Sequence, residues 1–368
     1  MTPAQSQIAE RVRAAAAQKR PLRLRGGGTK DFHGGPLDGE LLTLDTLAGI
    51  TSYEPSELVV TVQAGTPLAE LEALLQAHGQ CLPFEPPHFG AGATVGGMVS
   101  AGLAGPARAS VGSVRDYVLG ASLINGRGEL LTFGGQVMKN VAGYDVSRVL
   151  AGAWGTLGVI TELSLKVLPM APAEATRVFE CSQAEALRLL NAWGGQPLPL
   201  NASLWQAGPG GGAVGRLHLR LRGAVAAVQA AGRQLGGEML PPEGAEALWR
   251  SLRDQRHAFF TDAAAQGLDL WRASVPQTAP VLAAAGPSAP LIEWHGAQRW
   301  YAVPPGGAAD LAESVRAAGG WAAAFRPAAG RRAEPAPLSP ALMDIHRALK
   351  AAFDPAGIFN PGRLVAGL

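Results

Sequence analysis

Hydrophobic and polar positions in the first 170 residues predict short strands connected by helices. Residues 58–64 (LVVTVQA) are rich in β-branched side chains and predict a strand that ends at a glycine. The leucines of residues 68–75 keep helical spacing, and Gly79 is expected to stop that helix. Thr66 is expected to be its N-cap, with Pro67 at the first helical position.

The remaining elements of this part follow from the same patterns. Residues 1–20 predict a short amphipathic helix, and Asn-Gly-Arg-Gly at 125–128 between two apolar runs is a hairpin signal. The other predicted elements are strands at Leu22–Arg25, 40–44, Val118–Ile124, 129–133 and 159–168, and a short helix at 145–151.

The pattern changes after residue 170, where longer helices alternate with longer strands. Helices are predicted at 183–193, 224–235 and 308–318, and strands at 215–221, 270–275 and 291–303. A proline-rich linker at 333–340 precedes a tail that begins as a helix. We therefore predict an α+β fold in two domains, one of residues 1–170 plus 336–368 and one of residues 171–335.

Composition narrows the functional class. With 47% hydrophobic and 16% charged residues the chain is globular, and a net charge of +2 without a basic stripe disfavours a nucleic-acid binder. Two cysteines are too few for an iron–sulfur site, so any redox carrier must be an organic cofactor. Because no apolar run approaches the ~18 residues of a membrane span and no signal peptide is recognisable, we expect a cytoplasmic protein.

One glycine pattern is misleading. Gly210, Gly212 and Gly215 satisfy G-x-G-x-x-G, but a dinucleotide fingerprint must open a helix. Residues 216–222 alternate like a strand, so a hairpin loop is predicted here.

Two other glycine loops have the composition of anion sites. The first is RGGGTK at residues 25–30, and the second is GAGATVGGMVS at residues 90–100. Glycines after a strand or before a helix let backbone N–H groups converge on a phosphate, because no Cβ blocks the approach. Two such loops could grip one pyrophosphate from both sides; ordinary flexible turns are the alternative.

Four further motifs, in this order, complete a recognisable set. They are VGSVRDYVLG (111–120), VMKNVAGYD (137–145), AGAWGTLGVITELSLKVL (151–168) and FNPGR (359–363). Together with the two loops they resemble the FAD-binding domain of vanillyl-alcohol-oxidase (PCMH) and D-lactate-dehydrogenase flavoenzymes. The closer wording, including EPPHFGAGATVGGMV and LIEWHGAQRW, resembles the FAD-binding subunits of bacterial glycolate oxidases along nearly the whole chain.

The resemblance implies a set of cofactor contacts. The first loop and the second loop would line the pyrophosphate, the turn before residue 160 would lie near flavin and adenine, and the tail would return toward the isoalloxazine. The implied residues are Arg25, Gly26, Gly27, Gly28, Thr29, Lys30, Pro87, Gly92, Ala93, Thr94, Val95, Gly96, Gly97, Ser100, Gly152, Gly155, Gly158, Val159, Ile160, Asn360 and Arg363. We expect FAD to be non-covalent, since the loop around His33 does not match the usual attachment sites.

Other residues leave alternatives open. Lys139 and Asn140 could face flavin or cap a turn, while Tyr144 and Trp154 are explained by packing alone. The seven histidines are scattered without metal-ligand spacing, so no metal site is predicted. In the second domain the catalytic residues are unknown, and the candidates on the substrate side are Arg272, Trp294, His295, Arg299 and Trp300. Exposed charges on ordinary strands are the alternative there.

The sequence departs from its catalytic relatives at one point. They carry a His-x-Gly-Asp-Gly-Asn-x-His segment that builds a metal and substrate site, and nothing like it occurs here. The resemblance therefore implies a subunit that works beside a homologous catalytic flavoprotein and an iron–sulfur subunit. This subunit would have no membrane span of its own and would reach the inner face of the cytoplasmic membrane through its partners. Such a complex would oxidise glycolate, or D-lactate, to the 2-oxo acid. A self-sufficient FAD oxidase of a hydroxy acid or alditol, and a structural subunit without flavin, are the alternatives.

Overall fold

The computed structural model describes residues 1–135, 145–208, 212, 214–282, 286–333, 335 and 337–368. The chain forms two compact units. Unit 1 consists of Met1–Leu103, Ser113–Met170 and Glu334–Leu368, and unit 2 of Ala104–Gly112 and Ala171–Ala333. Of the motif at 137–145, residues 137–144, which include Lys139, Asn140 and Tyr144, lie outside the described residues.

The predicted boundaries differ from this division by two residues at the start of the tail, and at one internal segment. Residues Ala104–Gly112 were expected in the first domain, but their contacts place them in unit 2. Trp294 Nε1 donates to Gly105 O (3.0 Å), and Ser110 Oγ hydrogen-bonds His295 Nε2 (3.1 Å). Because Trp294 and His295 belong to unit 2, the chain leaves unit 1 at Ala104 and returns to it at Ser113.

The strands form two main sheets. In unit 1, strands β3, β4, β8, β6 and β7 make a five-stranded antiparallel sheet in that order, and β1 pairs parallel with β2. In unit 2, eight antiparallel strands follow the order β13-β10-β12-β11-β15-β16-β14-β17. The strands are β1 Leu22–Arg25, β2 Glu40–Thr43, β3 Ile50–Glu54, β4 Val59–Gln63, β5 Gln80–Cys81, β6 Val118–Ile124, β7 Leu130–Gly134, β8 Val159–Lys166, β9 Leu168–Pro169, β10 Ala173–Ser182, β11 Leu200–Ala207, β12 Val214–Gly223, β13 Glu238–Leu240, β14 Asp269–Ser274, β15 Leu291–Glu293, β16 Gln298–Val303 and β17 Trp321–Arg326.

The helices cover the sheets, and several of them begin at a residue whose side chain caps the helix. Thr2 caps α1 with its side chain, and Ser339 does the same for α11. The helices are α1 Pro3–Ala17, α2 Leu68–Ala77, α3 Val95–Ala101, α4 Arg108–Val111, α5 Val114–Tyr117, α6 Gln183–Gly194, α7 Val225–Leu235, α8 Pro242–Arg253, α9 Ala258–Ala265, α10 Ala309–Ala317 and α11 Pro340–Phe353. In the described ranges no helix is long and apolar enough to cross a membrane.

The core of unit 1 brings both ends of the chain together. Ile8 and Val12 of α1 pack with Leu22 of β1 and with Ile358 and Phe359 of the tail, all nearly inaccessible to solvent. Leu22 N donates to Ile358 O at 2.7 Å, so the tail is hydrogen-bonded to the first strand. The burial of these apolar side chains fixes the tail beside the loop that follows β1.

The core of unit 2 lies between its sheet and two helices. Leu217, Leu219 and Leu221 alternate along β12 and face α6 and α7, where Leu190 and Val228 are buried. On the opposite side of β12, Arg220 lies over the Trp249 ring of α8, with 4.9 Å from Cζ to the ring centroid. Both faces of this strand are therefore covered.

Two local predictions were wrong. Pro67, not Thr66, is the N-cap of α2, because the Thr66 hydroxyl bonds both the N–H and the carbonyl of Gly49. Residues 291–303 form two strands, since Trp294 and His295 adopt left-handed φ angles of 53° and 55° in a 3₁₀ turn, Trp294–Gly296, between them. The strand expected after Gly215 is confirmed as part of β12, paired antiparallel with β11.

Candidate functional site

A single cleft in unit 1 gathers most of the predicted cofactor residues. It is lined mainly by four segments that are distant in sequence, namely the loop after β1, the start of α3, the turn before β8, and the tail. The predicted residues that line it are Arg25, Gly26, Gly27, Gly28, Thr29, Lys30, Thr94, Gly96, Gly97, Ser100, Gly155, Gly158, Val159, Ile160, Asn360 and Arg363.

Five predicted residues do not line this cleft. Pro87, Ala93 and Val95 are buried and are not among its lining residues, and the carbonyl of Gly92 lies against Gly27 of the loop after β1. Gly152 lines a different cavity of unit 1. Their expected direct contact with a cofactor is therefore not supported by their positions.

The first glycine loop, Gly26–Thr29, presents unused hydrogen-bond donors. Within the described part of the chain, the backbone N–H groups of Gly27, Gly28 and Thr29 have no acceptor. Gly28 has φ +70°, and a Cβ on Gly27 would lie 1.4 Å from Gly92 O. Successive free amides of this kind form an anion-binding concavity, and only glycine permits the close approach.

The second glycine loop, Thr94–Gly97, uses its donors internally. Val95 N donates to Thr66 O (2.9 Å) and Gly96 N to Ala64 O (2.7 Å). Gly97 N donates to the Thr94 hydroxyl (3.2 Å), which caps α3. The expectation that both loops offer backbone amides is therefore corrected, because residues 95–97 contribute shape to the cleft and not donors.

Charged side chains give the cleft a positive balance. Arg25, Lys30 and Arg363 line it together with one carboxylate, Asp31. Asp31 forms ion pairs with Arg25 (3.0 Å) and with Arg23 (2.7 Å), and Arg23 does not line the cleft. Three cations against one anion at the same wall favour a negatively charged ligand.

The tail holds the first glycine loop at both of its ends. Before the loop, Leu24 N donates to Asn360 Oδ1, and Asn360 Nδ2 donates to Trp154 O, both at 2.8 Å. After the loop, Arg363, only 5% exposed, donates to Lys30 O (3.1 Å) and to Gly35 O (3.0 Å). The loop is thus fixed by residues that lie far along the chain.

Backbone strain is concentrated at the same place. Trp154 and Asn360 have φ +51° and +40°, a region that side chains other than glycine rarely occupy. A Cβ on Gly155 would approach Asn360 Nδ2 to 2.7 Å. Such conformations persist where surrounding contacts enforce them, and they occur preferentially at ligand sites.

Sequence reasoning missed the buried ion pair that fixes the tail. Lys350 Nζ donates to Thr156 O and Phe359 O and contacts Asp354 Oδ2, each at 2.8 Å. Asp354 also accepts from the N–H groups of Ile358 and Phe359. Burial lowers the pKa of Lys350, while Asp354 opposes that shift. A lysine four residues before an aspartate was the available signal, but it is common on exposed helices.

The start of β8 leaves a strand edge open toward the cleft. The pairing of β8 with β4 ends at Gln63–Glu162, and Ala64 N donates to Thr161 O just beyond it. Val159 therefore begins β8 past the end of β4, while Ile124 pairs with it on the other side. A planar ring with hydrogen-bonding edges can use such a backbone segment.

The candidates in unit 2 have different surroundings. Arg299 is 0% exposed, and its guanidinium donates to the carbonyls of Gly296, Pro280 and Ala279, which gives it a structural role. Burial lowers the pKa of His295 to about 4, so this side chain is neutral at pH 7.

Of the other unit 2 candidates, Trp294 and Trp300 donate hydrogen bonds from their ring nitrogens, and Arg272 keeps its charge. Trp300 Nε1 donates to Glu293 Oε2 at 2.6 Å, and Trp294 Nε1 donates to a backbone carbonyl. Burial, and then the nearby Arg108, lower the pKa of Arg272 to about 10, so it remains charged at pH 7.

Comparisons with known proteins identify the family. The FAD binding domain family matches residues 4–134, and the C-terminal domain family of FAD linked oxidases matches residues 334–364. Glycolate oxidase subunit GlcE of Escherichia coli K12 is 44% identical over 98% of this chain and 97% of its own length. The chain belongs to the glycolate oxidase subunit GlcE family.

More distant relatives share only part of the chain. Glycolate oxidase subunit GlcD of Bacillus subtilis is 31% identical over 42% of this chain and 33% of its own length. D-lactate dehydrogenase of Archaeoglobus fulgidus is 33% identical over 40% of this chain and 33% of its own.

Solved structures agree on the fold. An alkyldihydroxyacetonephosphate synthase superposes with a TM-score of 0.63 and 15% identity, over 96% of this chain and 74% of the synthase. At this identity the likeness concerns the fold alone. The predicted α+β architecture with a PCMH-type FAD-binding domain is confirmed.

The cleft fits the diphosphate of FAD on its own geometry. Both glycine loops lie inside the FAD-binding match, and Asn360 and Arg363 lie inside the C-terminal one. The free amides of the first loop and the flanking cations Arg25 and Lys30 provide the donors and the charge that a diphosphate requires.

Proposed function

We propose that this chain is the FAD-holding subunit of a glycolate-oxidising complex and that it binds FAD non-covalently in the cleft of unit 1. The observation that carries the proposal is the run of three unused N–H groups at Gly27–Thr29, beside Arg25 and Lys30. The 44% identity to a glycolate oxidase subunit over almost the whole chain supports the choice of complex.

The residues of the cleft divide the work of holding FAD. The first glycine loop with Arg25 and Lys30 would hold the diphosphate, and the open edge at Val159 would hold the adenine. Trp154, Asn360 and Arg363 would lie toward the flavin ring. When bound, FAD would supply a redox carrier for electrons that the complex takes from a 2-hydroxy acid.

The partners follow from the relatives and from what this sequence lacks. The GlcD relative matches less than half of this chain, and the catalytic His-x-Gly-Asp-Gly-Asn-x-His segment is absent here. We therefore assign substrate oxidation in the complex, with glycolate or D-lactate, to a GlcD-type flavoprotein subunit. An iron–sulfur subunit would carry the electrons onward at the inner face of the cytoplasmic membrane.

The visible spectrum of the purified full-length chain, recorded anaerobically before and after glycolate, tests this proposal. We expect a flavin spectrum that is unchanged by glycolate until the partner subunits are added. Bleaching by glycolate alone would identify a self-sufficient oxidase. A chain that takes up no flavin, even after incubation with FAD, would show that this is a structural subunit and would overturn the proposal.

Denaturation separates the two modes of flavin attachment. Non-covalent FAD leaves the protein on acid precipitation, and its absorbance is then found in the supernatant. Flavin that remains in the pellet would contradict the non-covalent mode and would direct attention to His33, whose ring stacks on Trp154 at 4.5 Å.

A further inference from the structure

Helix α11 of unit 1 exposes apolar side chains over its first turns. Leu342 and Ile345 are 49% and 61% exposed, although both side chains are large and apolar. Leu342, Ile345 and Leu349 follow one another at spacings of three and four residues, so they share one stripe of the helix. His346 lies on the same stripe, and we call these four residues the α11 face. In this helix of 14 residues the single buried side chain is that of a lysine, Lys350.

The hydrogen bonds that fasten α11 to the rest of unit 1 lie at its C-terminal end. Lys350 donates to the carbonyls of Thr156 and Phe359. The carbonyl of Phe353 accepts from Gly126 N at 2.8 Å. Within the described part of the chain, the side chains of the α11 face form no hydrogen bond or ion pair with another element. Because a helix of this length is marginal by itself in water and is normally stabilised by packing, the α11 face is an apolar stripe that is only partly packed within this chain.

The α11 face continues into a cavity of about 510 Å³ in unit 1. His346 and Leu349 form part of the cavity lining, and so does Val149, which is 41% exposed. The other apolar residues of the lining are Ala151, Ala153, Leu157, Leu364, Val365 and Leu368. A cavity of this size can accept large apolar side chains, and an exposed apolar patch beside it is typical of an interaction surface.

One cation on the cavity lining has no carboxylate partner among the described residues. Arg148 pairs with Asp145 at 3.2 Å, and Lys350 is engaged in the buried ion pair described above. Arg115 is exposed, and its guanidinium reaches only the carbonyl of Ala151, at 3.5 Å. A partner that fits this surface therefore brings apolar side chains to the α11 face and a carboxylate to Arg115.

The cavity lies against a wall of the cofactor cleft. One turn, residues 152–157, contributes to both of them. Trp154 and Gly155 line the cleft, and the cavity is lined by the residues on either side of them, Gly152, Ala153, Thr156 and Leu157. A molecule that docks at the cavity is therefore separated from the cleft by this turn.

We propose that the α11 face, the cavity beside it and Arg115 form the docking surface for the GlcD-type flavoprotein subunit. This inference rests on the proposed function for the identity of the partner. In that function the FAD of this chain carries electrons that the GlcD-type subunit takes from the acid, so the two subunits must meet near the cofactor. The apolar stripe extends from the cavity to Leu342, about 10 Å along the helix from Leu349, which favours a protein surface over a small ligand.

The experiment measures the affinity of the full-length chain for the purified GlcD-type subunit of the same organism, by calorimetry. Ile345→Glu places a charge in the apolar contact, and we expect an affinity at least ~30-fold lower. Arg115→Met removes the partner of the carboxylate and should lower the affinity less, by roughly 10-fold. Val225→Glu on α7, a comparably exposed apolar position, and Arg316→Met on α10 are the matched controls and should bind as the parent does.

Measurements on the isolated chain separate docking from folding. Because Ile345 and Arg115 are exposed, both variants should melt at the temperature of the parent and take up FAD equally. In hydrogen–deuterium exchange, the amides of residues 342–349 should exchange faster than those of residues 350–353. Binding of the GlcD-type subunit should then protect residues 342–349.

Four results would overturn the inference. The first is an unchanged affinity in Ile345→Glu, and the second is a lower melting temperature of that variant, which would show that the side chain packs within this chain. The third is a dimer of the isolated chain, seen by light scattering, that Ile345→Glu dissociates, because the occupant would then be a second copy. The fourth is loss of the iron–sulfur subunit in place of the GlcD-type subunit when both are offered to the variant.

The titration is run with and without FAD, so that the two proposals fail separately. A chain that takes up no flavin but binds the GlcD-type subunit through Ile345 refutes the proposed function and supports the docking surface. A chain that takes up flavin and binds the subunit equally well in Ile345→Glu refutes the docking surface alone.

Discussion

The two glycine loops of unit 1 have similar sequences and opposite hydrogen-bonding states. Gly26–Thr29 leaves three consecutive N–H groups without acceptors in the described structure, whereas residues 95–97 donate to Thr66, Ala64 and Thr94. Both loops line the same cleft. A glycine-rich motif therefore indicates a close approach of the backbone, but neighbouring carbonyls decide whether its amides are available to a ligand.

The loops also differ in what holds them. The second loop is fastened by segments only some thirty residues upstream, while the first is held by Asn360 at one end and Arg363 at the other. The loop with open donors thus depends on the tail. Substitutions at the loops and in the tail should separate these two roles.

Gly27→Ala should have the largest effect. Its Cβ would lie 1.4 Å from Gly92 O, so the loops must separate and the three amides lose their arrangement. We expect FAD affinity to fall at least ~1,000-fold, equivalent to about 4 kcal/mol, as measured by flavin fluorescence on titration. Gly97→Ala, whose Cβ would lie 3.0 Å from the Thr94 hydroxyl, should change the affinity by less than ~10-fold.

Gly194→Ala is the matched control for both substitutions, because a Cβ there has no neighbour within 4 Å. An equal loss of affinity in Gly97→Ala and Gly27→Ala would show that the two loops contribute alike and would remove the distinction drawn here.

Lys350→Met should act on the first loop from a distance. It leaves the Asp354 carboxylate buried without its cation and frees the carbonyls of Thr156 and Phe359. Breaking a buried ion pair in this way costs about 3 kcal/mol, which should appear as earlier flavin release on urea titration. The double variant with Asp354→Asn should recover part of the loss; a double variant as weak as Lys350→Met would show that the charge is not the cause.

Asn360→Leu should weaken FAD binding less, by roughly 2 kcal/mol. The substitution removes the hydrogen bonds to Leu24 N and Trp154 O and places a bulky residue at φ +40°. Asn360→Gly loses the same bonds without the strain, so its affinity should fall between those of the parent and the leucine variant. If glycine proves worse than leucine, the hydrogen bonds do not control the loop.

Acid should destabilise unit 2 without acting on either loop. Burial lowers the pKa of His218 to about 4, below the value near 6.5 of an unfolded histidine. Between these values the unfolded chain binds the proton and the folded chain does not, so stability falls as the pH drops from 6.5 toward 4. His218 lowers the free energy of unfolding by on the order of 2 kcal/mol at pH 5, and it has no such effect above pH 7.

His218→Leu should reduce this pH dependence, leaving the part due to His257 and His295, whose pKa values are lowered by burial in the same direction. Denaturation curves at pH 7.5 and pH 5 measure the difference. Identical pH dependence in the parent and the variant would show that His218 is protonated without cost.

Patterns local in sequence predicted local structure well. The strand Leu22–Arg25 and the hairpin of β6 and β7 follow directly from alternation and a turn signal. Thr66 is not the N-cap because its hydroxyl is hydrogen-bonded to the backbone of Gly49, which is distant in sequence. Likewise no local pattern could reveal that Ala64 and Thr66 accept the donors of the second loop, or that Arg299 is consumed by three carbonyls.

The tail contacts have a consequence for how and when flavin is acquired. Leu24 and Asn360 are 336 residues apart, and Lys30 and Arg363 are 333 apart. During synthesis the first glycine loop leaves the ribosome early. Its hydrogen bonds to Asn360 and Arg363 can form only after almost the entire chain has been made. A product truncated before Asn360 keeps every glycine of the first glycine loop but lacks the hydrogen bonds that hold the loop in place. If FAD binds in this cleft as proposed, the yellow colour of the flavin would show that translation had reached residue 363.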